Sequence, residues 1–423
     1  MWKTRGSGGT FDPIFKAAII GMSCLFFLIT FVSNFLPSEP AREHQQFSHL
    51  ARSFLSGKLY FLDDFVNGPE KNFIDTAKIG DKFYWHLGPF PALLLVPFVE
   101  LAKLIGFFFY QGYLQFLITM LIFFLCFKLA RKFSYSTNHA LYLAFAFCFA
   151  SVYQFTALVT WSWYFAQTVT AALIFLSLFE YLTKRRFWLI GILFGLVLMT
   201  RISAAPGILF FVVAALVGKD SALKEKIRSL TQLLAPILVA LIILFGYNFL
   251  RFGNVLETGY QLSNNYYLTD QQKFEQLNYG LFDLRNIPTN LYYYFIKTPD
   301  PILLEQESSQ GNTYLLKPPY LKVNYPGVSF FVVAPIFLYV FRAKKTELVK
   351  LALIPIGVIL LILLAYYWPG WVQVGPRYLL DLLPFAFLIL LQSFPNSKLS
   401  TGAKALIILS SIFNLYLFAS LLA

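Results

Sequence analysis

The sequence predicts an all-α, polytopic membrane protein of about 11 transmembrane helices, with surface helices in its outer loops. Three observations lead there. Of 423 residues, 58% are hydrophobic and 13% charged, with a mean hydropathy of +0.63, too apolar for soluble domains of ordinary composition. The apolar residues gather into twelve runs, many near the roughly 20 residues that a helix needs to cross a bilayer. The basic residues cluster in the short stretches between those runs, which is how cytoplasmic loops are marked.

The first run, 14–36, follows Lys3 and Arg5 and is too long for the apolar part of a signal peptide, so it reads as an uncleaved first helix. The remaining runs cover 89–107, 108–130, 139–158, 161–182, 187–200, 204–218, 231–250, 326–342, 346–366, 378–393 and 404–422. If all twelve crossed, Arg131/Lys132 and Lys184/Arg185/Arg186 would fall on the outer side, against the positive-inside rule. The conflict disappears if 89–107 is re-entrant or lies along the surface. That run opens Pro89-Phe90-Pro91, contains Pro97 and carries Glu100 and Lys103. Eleven crossings remain, and the inner loops then carry all of the net charge of +13.

This arrangement makes 1–423 one transmembrane domain in the plasma or inner membrane, with a cytoplasmic N-terminus and an extracytoplasmic C-terminus. Two long outer loops, 37–88 and 251–325, and a short one, 367–377, are where function is expected. The basic residues lie between apolar spans and form no aromatic-interleaved patch, so nucleic acid is not an expected partner. Cys24, Cys126 and Cys148 all fall inside apolar runs without metal-ligand spacing and read as packing residues.

Within the first outer loop, Phe47, Leu50, Ala51 and Phe54 recur at helical spacing opposite His44, Gln45, Ser48, His49 and Arg52. This predicts an amphipathic helix on the membrane surface. Glu43 stands at its start, placed either to act as a general base at the water–lipid boundary or to interact with the helix dipole. Asp63 and Asp64 form either a weak metal-binding pair or a solvated charge pair. The stretch Gly80-Asp81-Lys82-Phe83-Tyr84-Trp85-His86-Leu87-Gly88-Pro89 reads as a tight turn, with His86 facing a phosphate or capping the turn.

The other loops each set an arginine at a helix end beside glycines and aromatics. Arg251 opens the string that runs to Glu257 and Tyr260, and Arg377 lies between Gly370 and Asp381, followed by Tyr378. A guanidinium there can bind two phosphate oxygens at once, although Arg377 could equally pair with Asp381 four residues on or snorkel to the interface. Arg201 follows an apolar run that exits outward, and an arginine at that depth is a functional candidate by default.

Together these features resemble the GT-C superfamily of membrane glycosyltransferases, which includes the protein O-mannosyltransferases, the aminoarabinose transferases and the RgtA/B/C/D-like group. The resemblance covers nearly the whole chain, in layout more than in letters. It rests on an acid just after helix one, the Leu-x-Gly-Lys-Leu turn from Leu55 to Leu59, the Gly-Asp-x-x-Tyr-Trp-His…Pro stretch, and the long outer loop before the last four helices. It implies transfer of a sugar from a polyprenyl-phosphate donor to a hydroxyl of a glycan, lipid or protein acceptor, with inversion. By position Glu43 is then the base, with Glu39 as the fallback, because Arg42-Glu43-His44 stands where relatives carry adjacent acids. The same likeness implies a donor phosphate held by His86, Arg201, Arg251 and Arg377, and substrate contacts from Glu257, Tyr260, Tyr378 and Asp381. No particular cofactor is assigned, and a divalent metal stays open. The alternative is a transporter or lipid flippase, in which ionisable residues gather near the midplane of repeated, broken helices; here they gather at one face.

Overall fold

A computed structural model of the chain describes residues 11–36, 44–62, 75–217, 222–260, 262, 270–308 and 311–422. In order, the elements are α1 (Phe11–Phe35), α2 (Gln46–Leu55), the hairpin β1 (Thr76–Ile79) and β2 (Lys82–Trp85), α3 (Phe90–Leu104), α4 (Gln111–Lys132), α5 (Thr137–Phe149), α6 (Tyr153–Leu158), α7 (Ser162–Thr183), α8 (Phe187–Leu198), α9 (Leu209–Val217) and α10 (Leu223–Phe252). The second half holds α11 (Asp270–Tyr279), α12 (Ile287–Leu291), the hairpin β3 (Asp300–Ser308) and β4 (Gly311–Lys322), α13 (Phe330–Val333), α14 (Glu347–Ala365), α15 (Leu383–Leu390) and α16 (Thr401–Leu422).

Six of these helices are long and apolar enough to cross a membrane: α1, α4, α7, α10, α14 and α16. The other five expected crossings are shorter or interrupted. Run 139–158 is split between α5 and α6 at 150–152, and 187–200 holds only the twelve residues of α8. The runs 204–218, 326–342 and 378–393 each combine a 3-10 stretch with a short α-helix. Pro206, Pro335 and Pro384 sit at those changes of winding, where a missing N–H and a fixed φ break the regular ladder.

Burial sorts the helices. α7 is almost wholly enclosed, as expected of a central helix, and α5 is likewise buried along most of its length. α1 leaves Leu25, Leu28, Phe31 and Val32 exposed, an apolar surface suited to lipid. Its inner face packs Phe26 and Phe27 against Phe145 and Phe149. Cys126 and Cys148 are buried in the core and Cys24 is exposed on α1.

One close approach positions the functional end of the bundle. A Cβ on Gly191 would come 2.3 Å from the Leu233 carbonyl oxygen, and one on Gly195 would come 2.9 Å from the Ala240 Cβ. The pair therefore lets α8 and α10 run side by side in the same direction, the small-xxx-small packing of membrane helices. Arg201 lies in the segment leaving α8, and Arg251 in the last turn of α10.

Two features depart from the expectations. The chain is not purely helical, since two antiparallel hairpins interrupt it. In the first, Thr76 pairs with Trp85 and Ile79 with Lys82 around Gly80, whose φ of +58° suits a glycine turn. The helix at 46–55 forms, but Gln46, Ser48, His49 and Ser53 on its polar side are as buried as Phe47 and Leu50. Other parts of the chain cover the face expected to meet water.

Candidate active site

Four stretches that are far apart in sequence meet at the end of the bundle where α8 and α10 terminate: the β1–β2 hairpin, the bend at 199–203, the segment after α10, and 366–381. The hairpin is docked first. Gly88 lies so close to the bend that an added Cβ would be 2.0 Å from the Met199 carbonyl oxygen, which accepts a hydrogen bond from the Phe90 N–H at 3.1 Å. From α10, Arg251 donates through Nη1 to the Trp85 carbonyl at 2.5 Å and through Nη2 to Asn248 Oδ1 at 2.7 Å. Its guanidinium covers the Tyr247 ring. Arg251 thus clamps the hairpin's last residue to the end of α10.

Arg201 and Asp381 form a buried, two-pronged ion pair, Nε to Oδ1 at 2.9 Å and Nη2 to Oδ2 at 3.0 Å. The Ser203 hydroxyl donates to the same Oδ2 at 2.6 Å. Both Asp381 oxygens are therefore occupied within the protein, and the pairing of Asp381 with Arg377 four residues earlier does not occur.

Arg377 is in a different state. Its backbone is held on both sides, the N–H by Gln373 Oε1 at 3.3 Å and the carbonyl by Gln167 Nε2 at 3.2 Å. Its guanidinium lies against the rings of Tyr164 and Tyr378. Yet the side chain is buried, and neither Nε nor Nη1 has a hydrogen-bond partner among the described residues. The Tyr294 hydroxyl and the Trp85 indole N–H are also buried without partners among those residues. Buried donors of this kind ordinarily have a protein, water or ligand partner.

The carboxylate that feels the Arg377 charge is Asp75, at the entry to β1. Its φ of +55° is left-handed, which aspartate tolerates better than most residues. Its backbone carbonyl is gripped by His86 Nδ1 across the hairpin, and Trp163 interacts with its carboxylate. The residue as a whole is partly exposed, and its carboxyl is densely surrounded. That burial raises its pKa to about 6, against the opposing pull of Arg377 and the Trp163 hydrogen bond.

His86 is buried, with its ring edge-on to Tyr260 at 4.1 Å between centroids. Burial holds its pKa down near 4, so the ring is neutral at pH 7 and Nδ1–H is the donor to Asp75. Glu257 closes a turn by accepting the Gly259 N–H at 2.6 Å. Tyr260 and Tyr378 both lie close enough to Arg201 to feel its charge, with the Tyr378 ring 5.8 Å from the guanidinium.

The structure therefore brings His86, Arg201, Arg251, Tyr260, Arg377, Tyr378 and Asp381 to one end of the bundle. Glu39, Glu43, Asp63 and Asp64 lie outside the described residues. His44, next after Glu43, stacks on Trp161 at 4.1 Å, and its carbonyl accepts from Ser162 Oγ at 2.9 Å. Among the described residues no group of three or more His, Cys, Asp or Glu could hold a metal ion. Asp75, Trp163, Tyr164 and Tyr294 went unselected at the sequence level. Only Asp75 had a usable signal, the alternating Thr76–Ile79 and Lys82–Trp85 strands about Gly80-Asp81.

No family model matches the sequence, and no curated protein matches it. Among solved structures the chain is similar to ArnT from Cupriavidus metallidurans bound to undecaprenyl phosphate, with 14% identity and a TM-score of 0.49 over 96% of this chain and 63% of that one. It is also similar to the apo oligosaccharyltransferase of Archaeoglobus fulgidus, at 13% identity and a TM-score of 0.43 over 97% and 56% of the two chains. The oligosaccharyltransferase AglB of the same organism, in complex with an inhibitory peptide and a dolichol-phosphate, matches at 14% identity and 0.41 over the same shares. The chain spans less than two thirds of the length of each of these proteins.

Proposed function

We propose that the chain transfers a sugar from a polyprenyl-phosphate donor to an acceptor hydroxyl at the extracytoplasmic side of the membrane, inverting the anomeric carbon. The observation that supports this most strongly is the buried Arg377 guanidinium with Nε and Nη1 unpartnered among the described residues. A buried guanidinium with unmet donors is costly, and a phosphate supplies acceptor oxygens for Nε and Nη1. The donor class comes from the sequence resemblance; the site supplies the chemistry that such a donor needs.

In the transfer, the acceptor oxygen forms a bond to the anomeric carbon as the bond from that carbon to the phosphate oxygen breaks. The electron pair leaves with the phosphate, whose negative charge rises by one. Arg377 meets that charge where it develops, the arrangement that contributes most to such reactions. Arg201, committed to Asp381, and Arg251, committed to the hairpin, hold the frame around it. Glu43, or Glu39 in its place, is the base expected from the sequence, and a divalent metal is not part of the proposal.

The test is to incubate the purified full chain with a panel of radiolabelled polyprenyl-phosphate sugars and candidate acceptors. Consumption of one donor, with release of polyprenyl phosphate, is the expected result. Intact donors, together with movement of a lipid-linked head group across a vesicle bilayer, would instead make the protein a flippase.

A further inference from the structure

We infer that Asp75 is the carboxylate that takes the proton from the acceptor hydroxyl, the role otherwise expected of Glu43; this rests on the glycosyl transfer proposed above. Asp75 sits at the open end of the hairpin, at the entry to β1, and the residue is partly exposed. It is held in place from behind by the His86 contact to its carbonyl, and its carboxylate is oriented by Trp163. It is near enough to Arg377 for the two charges to interact, and no ion pair joins the two among the described residues. A base and an anion-binding cation, adjacent but not neutralising each other, are what a displacement at carbon needs. One receives the proton and the other receives the leaving group's charge.

Asp381, by contrast, has both oxygens committed to Arg201 and Ser203, and Glu257 is occupied in closing its own turn. The groups near enough to interact with Asp75 are Arg377 and Tyr367 from the 366–381 segment, Tyr260 from the stretch after α10, Trp163 from α7, and His86, which holds its carbonyl across the hairpin. Of these, His86 is neutral at pH 7, and Tyr260 and Tyr367 are held protonated by burial. Arg377 is thus the charged partner of Asp75, and it opposes the upward shift that burial causes.

The step balances. The O–H bond of the acceptor breaks and its proton passes to a carboxylate oxygen of Asp75. The oxygen's electron pair closes on the anomeric carbon, and the old carbon–oxygen bond pair leaves on the polyprenyl phosphate. Release of the proton to water afterwards restores the carboxylate. With a pKa of about 6, Asp75 is ionised at neutral pH and still basic enough to accept a proton in the transition state.

Two measurements on the full-length protein test this. In turnover, Asp75→Asn should keep undecaprenyl phosphate binding and lower kcat roughly 100- to 10,000-fold, the range for loss of a general base. The acidic limb of the rate profile near pH 6 should vanish, and Asp75→Glu should restore part of the rate. An Asp75→Asn enzyme that turns over like the parent, or keeps that limb, overturns the assignment. If Glu43→Gln alone abolishes transfer, the base is Glu43. The second measurement does not need turnover. The infrared band of the protonated carboxyl should titrate near pH 6, be missing in Asp75→Asn, and move to higher pH when undecaprenyl phosphate is added, because a neighbouring anion favours the neutral acid. An unmoved midpoint removes Asp75 from the phosphate's vicinity. If instead the midpoint moves but no donor of the panel is consumed, it is the glycosyl transfer that fails.

Discussion

Arg201 and Asp381, 180 residues apart in sequence, meet through two parallel hydrogen bonds of 2.9 and 3.0 Å at the end of the bundle, with Asp381 fully enclosed. The pair ties the bend after α8 to the segment before α15, the stretch that also carries Arg377. Removing one member strands a buried charge, so Asp381→Asn and Arg201→Met should each cost about 3–5 kcal/mol of stability. Replacing both by apolar residues should recover most of that loss. Thermal unfolding in detergent, read as a double-mutant cycle, checks this, and additive losses would show that the two side chains do not act as a pair.

Arg377 should behave in the opposite way. Because its guanidinium is buried with unmet donors, Arg377→Met removes a cost and should raise the melting temperature in the absence of ligand. With undecaprenyl phosphate as the probe of the proposed donor site, the same change should weaken binding by ~10- to 100-fold, the worth of one or two charge-assisted hydrogen bonds. Arg377→Lys should fall between the two, since an ammonium keeps the charge but loses the planar fork. Equilibrium binding and unfolding of the same samples would separate this residue from a purely structural arginine, for which both quantities would fall together.

The contrast between these two arginines explains how much of the site could be read in the sequence. Arg201, Arg251 and Arg377 stand out because a cation at the end of an apolar run is rare and expensive. Their partners are set by tertiary contacts that no spacing reveals. The i+4 relation of Arg377 and Asp381 suggested an ion pair, but a 3-10 stretch winds residues 377–381, and Asp381 is claimed by Arg201 instead. Asp75 was overlooked for a related reason. Its importance comes from a left-handed backbone and from Trp163 and Arg377, residues about 90 and 300 positions away. The fold was legible where runs were long, as in α1, α4, α7, α10, α14 and α16. It was less so where prolines break the winding, because hydropathy does not distinguish one span from two half-helices.

Acid should loosen the site through His86. Its folded pKa, near 4, lies below the unfolded value of 6.5. The unfolded chain therefore binds more protons between those pH values, and stability that is complete above pH 6.5 is lost as pH falls toward 4. For a fully enclosed ring this amounts to about 3 kcal/mol. Asp75, with its pKa raised to about 6 from 3.8, works in the other direction: the folded chain binds the extra proton and is favoured as pH falls through 6. His86→Asn keeps an N–H donor for the Asp75 carbonyl without titrating, so its stability should fall less between pH 6.5 and 4. Asp75→Asn should make the fall steeper. Urea unfolding of the three proteins across that range checks both signs.

The docking of the hairpin onto the α8 bend should depend on the absence of a side chain at residue 88. An alanine Cβ there would meet the Met199 carbonyl oxygen at 2.0 Å, and that oxygen is backbone, fixed by its own hydrogen bond from Phe90. It cannot swing aside as a flexible side chain could, so relief requires the hairpin to lift off the bend. That movement would carry Asp75 and His86 away from Arg201 and Arg377. Gly88→Ala should therefore destabilise by about 3 kcal/mol, the upper end for overpacked sites, and weaken phosphate binding at the same time. Gly246→Ala is the comparison: that glycine lies within α10 with nothing within 4 Å of its added Cβ, and the change should stabilise slightly, as alanine in a helix does. Equal behaviour of the two variants in unfolding and binding would show that the hairpin does not rest on the bend as described.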